Sequence, residues 1–154
     1  MEKKCKKSTA AKTAEKQISV AFIGCGIQGT SVLIPNFISH KNAVIKAVCD
    51  CDAARRENAA QYVNNYYKEN KKAKLAKCKA VADFRTVLED PGIDAVCIAT
   101  PDHWHAYIAC AAMKAGKDVY CEKPLTFSIE EAQLIMKAQK KYKRVFQTGS
   151  MQRS

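Results

Sequence analysis

The stretch GCGIQG, residues 24–29, contains the residue types that allow a backbone loop to hold a phosphate. In the pattern Gly-x-Gly-x-x-Gly, the first glycine permits a tight turn and the second lets the backbone approach a pyrophosphate. The third glycine lets a helix pack closely against a strand. We therefore predict a dinucleotide site formed by Gly24, Gly26 and Gly29 together with the intervening Ile27 and Gln28.

An acidic residue follows this loop at the spacing that a dinucleotide site requires. Asp50 lies twenty-one residues beyond Gly29, at the end of the next apolar run, where a carboxylate can bind both ribose hydroxyls of adenosine. Since a carboxylate there repels a 2′-phosphate, the sequence predicts NAD as the cofactor. Arg55 and Arg56 can pair with a phosphate, so NADP stays open. Glycines that serve only a tight turn are the simpler alternative, and flavin dinucleotide or a methyl donor are competing ligands.

Histidine and cysteine spacings do not predict a metal site. His103 and His105, two residues apart on a predicted helix, diverge by about 200° and cannot easily share one ion. Cys49 and Cys51 have no second cysteine pair at zinc-finger spacing to accompany them. Several cysteines lie inside apolar runs, where a thiol packs as a small hydrophobe. The sequence predicts reduced, packed thiols at Cys25, Cys49, Cys97, Cys110 and Cys121.

Apolar runs that alternate with helical patterns place these residues at strand ends. The runs that we interpret as strands cover residues 18–24, 43–50, 80–83, 93–100, 117–122 and 145–149. Helical patterns lie between most of them. Because parallel neighbours need long, right-handed crossovers, the alternation predicts an α/β fold with a doubly wound parallel sheet, the Rossmann fold, and helices on both faces.

Two helix starts are predicted from capping residues. Thr100 is the expected N-cap of one helix, with Pro101 at its first helical position. Ser128 and Glu131 have the spacing of a capping box at the start of another. The apolar face expected for this second helix consists of Ile129, Ala132, Ile135, Met136 and Tyr142.

Length and charge limit the classes of function. A chain of 154 residues is about one domain, which we divide into a basic flexible tail at 1–17 and a nucleotide-binding domain at 18–154. No run of about 18 apolar residues and no secretory signal is present, which favours a cytoplasmic protein without a membrane partner. Two lysine-rich segments, 2–16 and 68–79, carry most of the net charge of +11. They are interpreted as solvated, with nucleic-acid binding a minor hypothesis.

Four segments together carry a family resemblance. They are VAFIGCGIQG at 20–29, AVCDCD at 47–52, the run from IDAVCIATPDHWH to CEKPLT at 93–126, and VFQTGSMQRS at 145–154. In combination they resemble the N-terminal dinucleotide-binding domain of the Gfo/Idh/MocA oxidoreductases, enzymes of sugars and polyols. The resemblance extends over about residues 18–154.

The resemblance implies roles for residues in two further loops. Thr100, Pro101 and His105 would lie near the nicotinamide end of the cofactor, Glu122 would contact the nicotinamide ribose, and Lys123 would face the substrate hydroxyl. A lysine beside the cofactor can hydrogen-bond the reacting oxygen and stabilise the alkoxide that develops there. Lys123 is therefore the expected catalytic residue.

The resemblance also implies what such an enzyme needs beyond this domain. In the family a second domain supplies the catalytic histidine, most of the substrate pocket and the oligomer surface, and it has no counterpart before Ser154. We therefore expect the nucleotide-binding domain of an NAD-dependent sugar or polyol oxidoreductase, truncated and inactive alone. Substrate binding and any homo-oligomer would depend on that second domain. The alternatives are a non-catalytic NAD(P)-binding or sensor module and a polyanion-binding protein.

Overall fold

The computed structural model describes residues 17–70 and 77–150 and contains one six-stranded sheet. Its strands are β1 (Ile18–Ile23), β2 (Ala43–Cys49), β3 (Lys79–Val81), β4 (Ala95–Ile98), β5 (Asp118–Glu122) and β6 (Phe146–Gly149). They lie in the order β3-β2-β1-β4-β5-β6, and every neighbouring pair is parallel. The predicted α/β doubly wound Rossmann fold is confirmed.

Helices connect the strands and cover both faces of the sheet. A π-helical turn (Gly29–Leu33) leads into α1 (Ile34–Ser39), followed by α2 (Ala53–Glu69) and α3 (Phe84–Glu89). A 3-10 turn (Asp102–Trp104) leads into α4 (His105–Lys114), and α5 is Ile129–Tyr142. Side chains of α1 and α2 contribute to one hydrophobic core, and those of α3, α4 and α5 contribute to the other.

The central strand β1 supplies side chains to both cores. Val20 and Phe22 pack in the core that contains α1 and α2, whereas Ala21 and Ile23 pack in the core that contains α4 and α5. Successive side chains of a strand point to opposite faces, so a strand covered on both sides is apolar at every position. This explains why residues 20–23 of the predicted strand are all apolar.

The predicted cap at Thr100 is wrong. Pro101 has an extended backbone, with φ −56° and ψ 147°, and it precedes the 3-10 turn without giving a side-chain cap. Helix α4 follows that turn and has no side-chain cap either. Among the described residues, the buried Thr100 hydroxyl has no hydrogen-bond partner. The chain therefore passes through an extra turn before α4, and the Thr100 side chain does not begin the helix.

The start of α5 is predicted correctly, but part of its buried face is not. Ser128 Oγ accepts from the Glu131 amide at 3.3 Å, and Glu131 Oε2 accepts from the Phe127 amide at 2.8 Å. Ile129 and Met136, however, are 75% and 58% exposed, while Ile135 and Ala138 are buried. Ile129 lies in the first turn of the helix, and Met136 lies next to the buried Ile135 but on an adjacent side of the helix. Both side chains therefore face away from the core.

Parts of three predictions lie outside the described residues. Residues 1–16 of the expected basic tail, 71–76 of the second lysine-rich segment and 151–154 at the end are not described. Within 17–70 and 77–150, no helix has the length and apolar character needed to cross a membrane.

Candidate functional site

The predicted site residues gather at one edge of the sheet. Gly24 follows β1, Asp50 follows β2, Thr100 follows β4 closely, and Glu122 ends β5. Because parallel strands point the same way, their carboxyl ends share an edge. The strand order reverses between β1 and β4, and open α/β sheets bind ligands in the crevice at such a point.

Two glycines of the loop are required by the protein's own packing. Gly24 has φ +98°, and a Cβ there would lie 2.5 Å from the carbonyl carbon of Ala99 and 2.7 Å from the amide nitrogen of Thr100. Its amide donates to the Cys49 carbonyl at 2.8 Å. A Cβ at Gly29 would collide with the carbonyl oxygen of Gly24. The tight turn and the close helix–strand approach therefore leave room only for hydrogen at both positions.

Gly26 lies in open space instead. A Cβ added to Gly26 would meet no heavy atom of the described residues within 4 Å. The Thr30 amide and the Thr30 hydroxyl both donate to the Gly26 carbonyl, each at 2.9 Å, and these bonds fix the loop. The volume beside Gly26 is thus available to a ligand, next to the start of a helix, where unpaired backbone amides favour an anion.

Asp50 is hydrogen-bonded to the glycine loop. Its Oδ2 accepts from the Cys25 amide at 2.7 Å, and its Oδ1 accepts from the Asp52 amide at 2.9 Å. A carboxylate oxygen can accept more than one hydrogen bond, so the group keeps capacity for two hydroxyls. The Arg56 guanidinium donates to the carbonyls of Asp50 and Cys51 at 3.4 and 3.1 Å, whereas Arg55 is exposed.

The end of β5 is connected to the glycine loop through Glu122. This side chain is 3% exposed, and its Oε1 accepts from Gln28 Nε2 at 3.2 Å. Its Oε2 accepts from the backbone amide of Lys123 at 3.1 Å, and the Lys123 residue itself is exposed. Two predicted segments, far apart in sequence, are therefore joined by one side-chain contact.

Tyr120 belongs to this cluster and was missed by the sequence interpretation. Its hydroxyl donates to Glu122 Oε1 at 3.4 Å. Burial and the adjacent Glu122 charge raise the pKa of Tyr120 to about 12, so the hydroxyl keeps its proton at neutral pH. A Cβ at Gly149 of β6 would lie 2.7 Å from the Tyr120 hydroxyl, so this glycine makes room for it. The two-residue spacing from Glu122, which places both on one strand face, was the available signal.

His105 connects two loops at the same edge. The residue is 1% exposed, and its ring nitrogens lie 2.8 Å from two carbonyl oxygens. Nδ1 faces Pro124 O and Nε2 faces Thr100 O. Both ring nitrogens thus contact backbone carbonyls, and the ring connects the loop after β4 to the loop after β5. The expected contact of His105 with a cofactor stays a prediction.

The remaining predicted residues lie at the rim. Ile27 is 86% exposed and Pro101 is exposed. His103 is exposed too, and its Nδ1 lies 3.8 Å from Asp102 Oδ1, whereas the His105 ring is buried between two carbonyl oxygens. In the described ranges, no group of three or more histidine, cysteine or acidic residues is arranged to hold a metal ion.

The cysteines of the described ranges are free thiols. Burial, followed by the neighbouring Asp50 charge, raises the pKa of Cys25 and Cys49 to about 12. Cys51 is exposed, and its thiol lies 3.6 Å from Asp50 Oδ1. The interior thiols therefore stay neutral and packed, as predicted, while one thiol faces solvent beside the acidic residue of the site.

Comparison with known proteins agrees with this geometry. Residues 18–150 match the family profile described as "Oxidoreductase family, NAD-binding Rossmann fold". The chain is 31% identical over 134 residues to the uncharacterized oxidoreductase YrbE of Bacillus subtilis, covering 87% of this chain and 36% of that protein. It is 34% identical over 132 residues to levoglucosan dehydrogenase of Pseudarthrobacter phenanthrenivorans, and the match covers 81% of this chain and 31% of that protein.

A solved structure shows the same fold over the same part. The crystal structure of an NAD-binding protein from Listeria innocua superposes with a TM-score of 0.73 and 32% identity. The superposition covers 90% of this chain and 36% of that one. The chain thus spans about a third of the length of the relatives it matches.

Proposed function

The chain belongs to the Gfo/Idh/MocA oxidoreductase family and contains its NAD(P)-binding Rossmann domain, and from this premise we propose that it binds NAD for hydride transfer at a hydroxyl-bearing carbon of a sugar or polyol. The observation that carries the proposal is the glycine loop, in which Gly26 leaves open space and Asp50 is hydrogen-bonded to the loop through the Cys25 amide.

The residues present fit an NAD molecule. The space beside Gly26 accommodates a pyrophosphate against the backbone amides of residues 27–29 at the helix start. Asp50 keeps two acceptor positions for the adenosine ribose hydroxyls. A 2′-phosphate would meet the Asp50 carboxylate, and Arg56 is already bonded to two carbonyls, so NAD is preferred over NADP.

The catalytic contribution of the chain comes from Lys123. Bound nicotinamide supplies the acceptor or donor of the hydride. The Lys123 ammonium donates a hydrogen bond to the reacting oxygen and stabilises its negative charge. The backbone amide of Lys123 is fixed by Glu122 Oε2, so the lysine starts from an anchored position at the edge of the sheet. Thr100 and Pro101 border the same site from β4.

The family and one relative support the substrate class. Levoglucosan dehydrogenase, at 34% identity, is named for action on a sugar derivative. A substrate of this class presents several hydroxyls, one of which would meet Lys123.

Turnover is tested by joining this chain to the C-terminal part of levoglucosan dehydrogenase, because the matched relatives are about three times as long. Formation of NADH is followed with levoglucosan, glucose and inositol. Lys123→Ala should lower kcat by about 100-fold or more, the scale of losing an acid/base or oxyanion contact. Lys137→Ala, an exposed lysine on α5, is the matched control. A fully active Lys123→Ala protein would refute the role of the lysine, and NAD binding without turnover would favour the non-catalytic module.

A further inference from the structure

Gly149 of β6 lies opposite Glu122 of β5 in the parallel ladder. The glycine is buried, and β6 is the last strand of the described sheet. A Cβ added to Gly149 would lie 2.7 Å from the Tyr120 hydroxyl and 3.0 Å from Glu122 Oε1. Real Cβ atoms do not come as close to another heavy atom as 2.7 Å, so an alanine at this position would displace at least the Tyr120 hydroxyl.

The Tyr120 ring is held by aromatic packing. It meets the Phe37 ring of α1 edge to face, with the ring centroids 5.8 Å apart, and Phe37 meets Phe22 of β1 in the same way at 5.3 Å. Phe22 is fully buried in the core. Because a close-packed core leaves few voids, the Tyr120 hydroxyl cannot retreat from position 149 without disturbing this row of rings.

The Tyr120 hydroxyl and the Gln28 side chain share one oxygen of Glu122. Gln28 Nε2 donates to Oε1 at 3.2 Å, and the Tyr120 hydroxyl donates to the same oxygen at 3.4 Å. The other oxygen, Oε2, accepts from the Lys123 amide at 3.1 Å. These contacts fix the direction of a carboxylate whose residue is 3% exposed. A displaced Tyr120 hydroxyl would therefore shift Glu122 and, through it, the backbone of Lys123.

Glu122 lies in the half of the crevice farther from Asp50. Asp50 follows β2, the loop with Gly26 follows β1, and Glu122 ends β5, with β4 between β1 and β5. Neighbouring strands lie about 4.8 Å apart, so β5 is about 14 Å from β2 across the sheet. With adenosine at Asp50 and the pyrophosphate at Gly26, the nicotinamide half of NAD extends over β4 toward Glu122.

We propose that Gly149 and Tyr120 are positioning residues of the cofactor site. The missing side chain of Gly149 leaves the space that the Tyr120 hydroxyl occupies, and this hydroxyl, together with Gln28, holds the Glu122 carboxylate toward the nicotinamide half of NAD. The inference rests on the proposed function, which supplies the cofactor. Gly149 and Tyr120 do not touch the reacting atoms and act through Glu122 and the backbone amide of Lys123.

The affinities of the 154-residue chain for NAD and for ADP, measured by calorimetry, separate this role from a merely structural one. Gly149→Ala should bind NAD about tenfold more weakly, the equivalent of one lost hydrogen bond. Its affinity for ADP should stay within about twofold of the wild type, because ADP ends at the pyrophosphate and does not reach β5. A variant that is only less stable would bind both ligands more weakly to the same degree.

A double-mutant cycle tests whether the Tyr120 hydroxyl is the link. Tyr120→Phe removes the hydroxyl and should lower the NAD affinity by about threefold. Adding Gly149→Ala to Tyr120→Phe should cost at most about a further twofold, because the atom nearest to the new Cβ is gone. Tyr142→Phe, on α5, controls for the loss of a hydroxyl and should keep the wild-type affinities. Losses that simply multiply in the double variant would show that the hydroxyl is not the link.

Two results in the single variants would overturn the inference: an unchanged NAD affinity, or equal losses of NAD and ADP affinity. Tyr120→Phe decides the question alone if Gly149→Ala does not fold, since it adds no atom to the site.

A spectrum of the ligand-free chain separates the inference from the proposed function. The side-chain amide signal of Gln28 in ¹H–¹⁵N spectra should shift in Gly149→Ala, because the displaced Tyr120 hydroxyl moves the Glu122 oxygen that Gln28 contacts. An unmoved Gln28 signal would contradict the coupling whether or not NAD binds. Absence of both NAD and ADP binding by the wild type contradicts the proposed function instead.

Discussion

The side-chain amide of Gln28 donates a hydrogen bond to Glu122 Oε1 across 3.2 Å. The contact joins the helix that starts at the glycine loop to the last residue of β5, and Glu122 is buried there. Gln28 was predicted only as part of a phosphate-binding backbone. Its side chain holds together the two segments that we assign to cofactor binding and catalysis.

Replacing Gln28 by leucine should therefore destabilise the fold. The variant leaves the buried Glu122 side chain without one donor, which costs about 1–3 kcal/mol in the free energy of unfolding. Urea unfolding measures the change. Gln133→Leu, on the exposed side of α5, is the control and should stay within about 0.5 kcal/mol of the wild type. Equal stabilities of the two variants would show that the Gln28–Glu122 contact contributes nothing.

Asp50→Asn should relax the preference for NAD over NADP. Asparagine keeps an acceptor for the Cys25 amide but removes the charge that repels a 2′-phosphate, and exposed Arg55 can then pair with that phosphate. We expect the ratio of the NAD to the NADP affinity to fall by about tenfold. Asp52→Asn, an exposed carboxylate nearby, controls for net charge. A wild-type chain that already prefers NADP would contradict the placement of Asp50 at the ribose.

Thiol alkylation should separate Cys51 from the buried cysteines. Burial raises the pKa of Cys25 and Cys49 to about 12, so at pH 8 only about one molecule in 10⁴ carries either thiolate. Peptide mass spectrometry after brief treatment with iodoacetamide should find Cys51 modified and the two buried thiols intact. NAD should slow labelling of Cys51, which adjoins Asp50. Modification of Cys25 as fast as Cys51 in the native protein would be the contrary result.

The same pKa shifts predict that the free energy of unfolding falls at high pH. A thiol pKa raised from its ordinary value of 9.0 to about 12 means that the folded chain holds protons that the unfolded chain releases above pH 9. Their contribution to stability is therefore complete below pH 9 and is lost as the pH rises toward 12. Unfolding titrations at pH 8 and pH 10.5 measure this loss.

The fold and the packing roles of Gly24 and Gly29 were predictable because their signals are local. A strand that is apolar over residues 20–23, a turn with Gly24 and Gly29, and an acid after the next strand are each recognisable from neighbouring residues. The structure gives a specific reason for each glycine: Gly24 and Gly29 have no room for a Cβ, while Gly26 has room that a ligand can use.

The contacts between loops could not be read from the sequence. The Glu122–Gln28 bond connects residues 94 positions apart, and the His105 ring meets carbonyls from two different strand ends. Backbone carbonyls carry no residue-type signal, so a histidine partner of this kind leaves no pattern. The cap at Thr100 failed for a related reason, since an additional 3-10 turn, set by the extended Pro101, separates Thr100 from α4.

Calorimetric titration of NAD into the wild type and Gly26→Val shows whether the loop at Gly26 binds the pyrophosphate of NAD. Valine meets no atom of the described residues within 4 Å at its Cβ, so the variant should fold with nearly unchanged stability. Its side chain fills the space that the pyrophosphate needs, and NAD binding should be abolished. Undiminished binding of NAD by a folded Gly26→Val chain would show that the pyrophosphate does not bind beside Gly26.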